Sequence, residues 1–143
     1  MAETVPAAAL EFPSHAYDAM IAEALRCYPL EACGLLIGLG TTVHRFVACT
    51  NETQSAKVYA IPGKELLRAE RAAEDDGLAI IGVFHSHTHS EPYPSPTDVA
   101  QVADPEWQYI IVSLKRHLPE ARSFTIADGA INEHPVVIGN TPA

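Results

Sequence analysis

A mixed β-sheet with two long helices, an α/β or α+β fold, is what this sequence predicts, and three observations carry the prediction. Short apolar runs such as "ACGLLIGLG", "LAIIGVFHSH" and "QYIIVSL" have the length and composition of buried strands. Two longer segments, one between Ser14 and Pro29 and one between Gly63 and Asp76, set apolar residues at helical spacing among strong helix formers. At 143 residues the chain suffices for one core that buries roughly two-thirds of its unfolded surface, so residues 1–143 are expected to form a single domain.

Residues 1–9 are small and weakly patterned and are expected to be loosely ordered. In "PSHAYDAMIAEALRCYP", Ser14 is placed to cap a helix whose apolar residues Tyr17, Met20, Ile21 and Leu25 share a face until Pro29 ends it. "ACGLLIGLG" follows as a buried strand. "TTVHRFVACTN" alternates Val43, Arg45 and Val47 with His44, Phe46 and Ala48, and reads as the strand returning beside it. "KVYAI", residues 57–61, reads as a third strand. "GKELLRAERAAEDD" is a helix with Leu66, Leu67, Glu70 and Ala73 toward the core, stopped by Gly77.

"LAIIGVFHSH" is an apolar strand that ends in histidines, followed by a loop with Pro92, Pro94 and Pro96. In "SPTDVAQVAD" a short helix is expected, with Ser95 as N-cap, Pro96 at the first helical position and Asp98 three after the cap. "QYIIVSL", "RSFTIADG" and "AINEHPVVI" read as the remaining strands, with a tight turn at Asp128–Gly129.

Eighteen acidic against nine basic residues give a formal charge of −9, which argues against a nucleic-acid partner and favours one with a positive patch. No run approaches the ~18 apolar residues of a membrane span, and the start of the chain lacks the pattern of a signal peptide. Cys27, Cys33 and Cys49 are an odd number without paired spacing, so reduced thiols and a cytoplasmic setting are expected.

The chemistry concentrates in "FHSHTHSEPYPSPTD", residues 84–98. In an extended segment residues i and i+2 point the same way, so His85 and His87 can present imidazoles to one metal ion. His89 would join them only if the chain stayed extended through the loop. A histidine-rich surface turn is the competing reading. Asp98 is the next candidate ligand, although Ser95 and Asp98 also form a Ser-x-x-acid capping box of the kind found wherever a helix begins. Two imidazoles and a carboxylate would leave a fourth position open, the arrangement of catalytic rather than structural zinc. Hydrolysis at such a site needs a base, and the best candidate is Glu31, at the start of an otherwise apolar strand. An exposed corner residue is the alternative for Glu31.

Glu31, then His85-x-His87, seven residues, Ser95, two residues and Asp98 resemble the motif of the JAMM, or MPN+, metalloproteases. "PLEACGLLIG", "GVFHSHTHSEPYPSPTDV" and "RSFTIADGAINEHPV" are similar to small bacterial members of that family, over about Phe12 to Val137. The resemblance implies one zinc per chain held by His85, His87 and Asp98. It implies Glu31 as general base and acid, and the Ser95 hydroxyl as a donor to the oxyanion. It also implies a curved mixed sheet between two long helices, a three-layer arrangement like that of the MPN and cytidine-deaminase folds.

The family cleaves amide bonds after the C-terminal glycines of ubiquitin-like proteins. "HSHTHSEPYPSPTDV" is most similar to the actinobacterial type, which releases cysteine from a ubiquitin-like sulfur-carrier protein for cysteine biosynthesis. That carrier is the implied partner, with no nucleic acid and no membrane; oligomeric state is not legible. A zinc-dependent module that binds the carrier without cutting it is the alternative. A phosphoesterase of the polymerase-and-histidinol-phosphatase type also opens on His-x-His, but it needs further histidines, and only His117 and His134 follow the loop. A zinc deaminase would require a Pro-Cys-x-x-Cys that the chain lacks.

Overall fold

The computed structural model describes residues 8–139. Chain order is β1 (Leu10–Pro13), α1 (Ser14–Cys27), β2 (Cys33–Leu39), β3 (Thr42–Cys49), α2 (Gly63–Asp75), β4 (Ala79–His87), α3 (Pro96–Ala100), β5 (Gln108–Ser113), β6 (Glu120–Ala127), β7 (Ala130–His134) and β8 (Val136–Gly139). The strands form one sheet ordered β7-β6-β5-β4-β2-β3-β1-β8. β4 runs parallel to β5, and β1 runs parallel to both β3 and β8; the other pairings are antiparallel. Strands β7 and β8 are separated only by Pro135 yet stand at opposite ends of the order, so the sheet curls until it nearly closes.

Alternation along the central strands distributes side chains to two faces. On one, Ala16, Met20 and Ala24 of α1 pack with Leu36, Phe84 and Ile110. On the other, Ala69 and Ala73 of α2 pack with Leu35, Ile37, Val83 and Tyr109. The sheet therefore lies between two long helices, the three-layer arrangement expected. Both helices approach through alanines, which lets the backbone sit close to the sheet. As a result Leu25 and Leu67, expected to face the core, are 55% and 47% exposed.

Four local expectations are corrected. Ser14 is the first helical residue rather than the cap; Pro13 holds that position with no side-chain cap. "AINEHPVVI" is two strands, because Pro135 offers no N–H to a ladder and its carbonyl instead accepts from Leu10 N–H at 2.8 Å. Leu10–Pro13, not read as a strand, pairs with the second of them. "KVYAI" forms no strand, because side chains satisfy its backbone. Asn51 Nδ2 donates to Val58 O (3.0 Å), Ala60 N–H donates to Asn51 Oδ1 (3.1 Å) and Val58 N–H donates to Ser55 Oγ (3.2 Å). Of residues 1–9, 1–7 lie outside the described residues; the Ala8 carbonyl is anchored 3.0 Å from His134 Nδ1.

Candidate metal centre

β4 carries His85 and His87 to its C-terminal end on the face that Val83 shares, and both rings are buried. The chain then loops to α3, where the expected capping box forms: Asp98 N–H donates to Ser95 Oγ (3.1 Å) and Ser95 N–H to Asp98 Oδ2 (2.8 Å). The same Oδ2 atom lies 3.2 Å from His85 Nε2 and 3.1 Å from His87 Nε2, and the two nitrogens are 3.2 Å apart. Three potential ligand atoms thus mark a nearly equilateral triangle. Donors around a tetrahedral zinc with bonds of about 2.0–2.1 Å are separated by about 3.4 Å, so the triangle fits one face of such an ion with little adjustment. Among the described residues this is the group of three or more that could hold a metal.

The electrostatics suit a cation. Burial drives the His85 imidazole toward its neutral form, lowering its pKa despite the carboxylate beside it. Burial acts the same way on His87, but hydrogen bonds to Asp98 and to the Glu91 carbonyl outweigh it and raise the pKa. Burial alone would raise Asp98; the two imidazoles overcome it and hold the carboxyl far below its ordinary range, hence ionised. His87 Nδ1 is 2.8 Å from the Glu91 carbonyl, which requires the proton on Nδ1 and leaves the Nε2 lone pair for a metal. His85 Nδ1 has no such partner among the described residues. Its ring is instead held by Tyr59, stacked at 4.4 Å between centroids and 17° between planes.

Glu31 lies just before β2 and is buried, only 4% exposed, which removes the exposed-corner alternative. Pairing of Cys33 with His85, continued by Ser86 N–H donating to Ala32 O, puts Glu31 across from His87. Residues opposite one another in an antiparallel pair share a face. Glu31 Oε1 has no hydrogen-bond partner among the described residues. Burial pushes its carboxyl up to about 7, moderated by His87 and reinforced by Asp98. A group poised there can take and return a proton near neutrality. Ser95 Oγ accepts from Asp98 N–H, so its own O–H remains free to donate.

Three positioning residues escaped the sequence reading. Asn51 Nδ2 donates to the Glu31 carbonyl (3.1 Å) as well as to Val58 O, tying the Glu31 corner to the loop that carries Tyr59. Ser86 Oγ accepts from Ala32 N–H (2.8 Å) and buttresses the same corner. Tyr59 stacks on His85. Their only signals were a turn-forming Asn, a serine between the histidines, and a tyrosine three residues before Pro62.

His89, Tyr93, the three cysteines, His117 and His134 stay outside the triangle. His89 is exposed, its Nδ1 2.9 Å from Thr88 Oγ1. Tyr93 is half-exposed and edge-on to Phe124. Cys33 is core: it is buried, and burial pushes its thiol up to about 12. Cys27, Cys33 and Cys49 are all free thiols. His117 is exposed and His134 bonds Thr125 Oγ1 at 2.8 Å, so neither supplies the extra ligands a multinuclear phosphoesterase needs.

Comparison with known proteins identifies the family. Residues 13–127 match a family described as prokaryotic homologs of the JAB domain. The chain is 40% identical over 122 residues to the CysO-cysteine peptidase of Mycobacterium tuberculosis (strain ATCC 25618 / H37Rv), which covers 83% of this chain and 84% of that protein. Protein DSY2949 from Desulfitobacterium hafniense superposes with a TM-score of 0.81 at 30% identity, covering 92% of this chain and 93% of the other. AF2198, a JAB1/MPN domain protein from Archaeoglobus fulgidus, superposes with a TM-score of 0.60 over 90% of this chain and 99% of its own; at 17% identity it speaks to the fold alone.

Proposed function

Since this chain belongs to the family of prokaryotic JAB-domain homologues, the group its glutamate, His-x-His and Ser-x-x-Asp constellation resembles, we propose that it is a zinc-dependent peptidase. Its substrate is a ubiquitin-like sulfur-carrier protein extended beyond its C-terminal Gly-Gly, and the product is free cysteine. The observation that carries the chemistry is a buried carboxyl with a pKa near 7, Glu31, on the same face as three converging metal-ligand atoms. The similarity to a CysO-cysteine peptidase over most of both chains supports the substrate.

His85, His87 and Asp98 would hold the metal; zinc is the ion that two imidazoles and one carboxylate suit best. Bound there, it supplies Lewis acidity for the scissile carbonyl and makes a water acidic enough to lose a proton near neutral pH. Glu31 takes that proton as the water oxygen bonds to the carbonyl carbon, then hands it to the amine nitrogen as the C–N bond breaks. The Ser95 hydroxyl donates to the oxygen that becomes negative in between. Tyr59 and the Glu91 carbonyl hold the two imidazoles in orientation, and Asn51 and Ser86 fix the Glu31 corner. We place the reaction in the cytoplasm, on the strength of three unpaired thiols.

Mass spectrometry tests the reading directly. A sulfur carrier fused through its Gly-Gly to one cysteine is expected to lose the mass of that residue on incubation with the zinc-loaded protein. Chelated protein and Glu31→Gln should leave it intact. Cleavage by Glu31→Gln at the wild-type rate would overturn the mechanism, while tight carrier binding with no cleavage would identify a binding module instead.

A further inference from the structure

Glu31 also lines a cavity of about 400 Å³, a volume within the range of small-molecule sites. Its walls include Glu23 and Arg26 of α1 and Thr50, Asn51 and Gln54 beyond β3. Of the lining residues, Arg26 alone carries a fixed positive charge. Its guanidinium is oriented before any ligand arrives: Nε donates to Glu23 Oε1 (2.8 Å) and Nη2 to Glu23 Oε2 (2.7 Å). Glu23 is nearly buried, whereas the Arg26 side chain is 70% exposed. The fork engages one edge of the guanidinium, and among the described residues the Nη1 donors have no partner.

The leaving side of the reaction makes a definite demand. When the C–N bond breaks, the amine nitrogen must lie at Glu31 to receive the proton. If the leaving group is one C-terminal amino acid, its carboxylate is separated from that nitrogen by a single carbon. A carboxylate donor is then needed near Glu31, and the cavity that Glu31 and Arg26 both line offers one. A lysine side chain in isopeptide linkage would instead place an uncharged methylene chain there.

We propose that this cavity is the subsite for the released residue and that Arg26 recognises its free α-carboxylate, so that a single C-terminal amino acid is preferred over an amide embedded in a longer chain. The inference rests on the peptidase function proposed above and names its leaving group. Because Glu23 offsets the charge of Arg26, selection comes from directed N–H donors rather than from a net positive field.

The test compares two probes, a sulfur carrier fused through Gly-Gly to cysteine and the same carrier ending in cysteinamide, with kcat/KM measured for each. Wild-type protein is expected to favour the free acid by about 10- to 100-fold, the range of a charge-assisted hydrogen bond. Arg26→Gln should lose the preference for the free acid. The double variant Glu23→Gln/Arg26→Gln, which leaves no buried carboxylate unpaired, should behave the same. Equal rates on the two probes in wild type, or a preference that survives in both variants, would overturn the subsite while leaving the peptidase intact. No cleavage of either probe by wild type would overturn the peptidase reading and the subsite with it.

Discussion

Replacing Glu31 with glutamine should stabilise the metal-free protein, and should do so only above acidic pH. The Glu31 carboxyl titrates near 4.5 when solvated and is pushed by burial to about 7 in the folded chain. The folded state therefore binds the proton more tightly than the unfolded one. Below pH 4.5 both states are protonated and the residue costs nothing through ionisation. Between 4.5 and 7 stability falls by about 1.4 kcal/mol per pH unit, reaching a total of about 3 kcal/mol that persists at higher pH. Glutamine keeps the shape and removes the charge. Its amide is itself left without a partner, which adds a constant offset, so the informative quantity is how the difference between the two proteins changes with pH.

Urea denaturation of both proteins in chelator, at pH 5 and pH 8, measures that change. The advantage of Glu31→Gln should grow by about 2–3 kcal/mol between the two. An advantage that is the same at both values would show that Glu31 is not buried as a titrating acid, and would refute its poise as the base. Added zinc should shrink the difference at pH 8, because a nearby cation favours the ionised carboxylate.

Asp98→Ala should abolish zinc retention and also lower stability in chelator by about 1 kcal/mol, because Oδ2 serves the Ser95 cap as well as the triangle; metal content and denaturant midpoints separate the two losses. Tyr59→Phe should keep zinc affinity within a few-fold, whereas Tyr59→Ala should weaken it by about 10- to 100-fold in a competition titration, because the stack is what orients His85. Gly34→Ala should cost about 1–3 kcal/mol by thermal melting, since a Cβ there would lie 2.5 Å from Val47 O and 2.6 Å from the Phe46 ring.

Much of the fold was readable because the central strands announce themselves. β2, β4 and β5 are covered on both faces, so their apolar runs are continuous, and their shortness favours strands over helices. The helices were readable as helices but not in their facing: apolar spacing favoured Leu25 and Leu67, while close packing on the sheet selected the smaller Ala24 and Ala69. "KVYAI" has strand composition and no strand, since composition carries no information about side chains such as Asn51 that take over its backbone bonds. The triangle of His85, His87 and Asp98 was legible from strand alternation plus a helix cap, two local rules with fixed geometry. What local rules could not reach was the surrounding support. Tyr59, Ser86 and Asn51 act across 26, 54 and 20 positions of chain respectively, through contacts that only the folded sheet creates.

The shared oxygen of Asp98 bears on how this kind of site decays over evolutionary time. Ser95 and Asp98 secure one another whether or not an ion is present, so a descendant that lost its histidines would still gain from keeping both. Selection for a well-started helix would preserve them long after hydrolysis had ceased. Glu31 is in the opposite position: burial penalises its carboxylate in the metal-free fold, and on the catalytic reading proposed above it contributes only reactivity, so relaxed selection should erase it early. Among divergent relatives, retention of the glutamate is therefore a sharper sign of a working enzyme than retention of the aspartate.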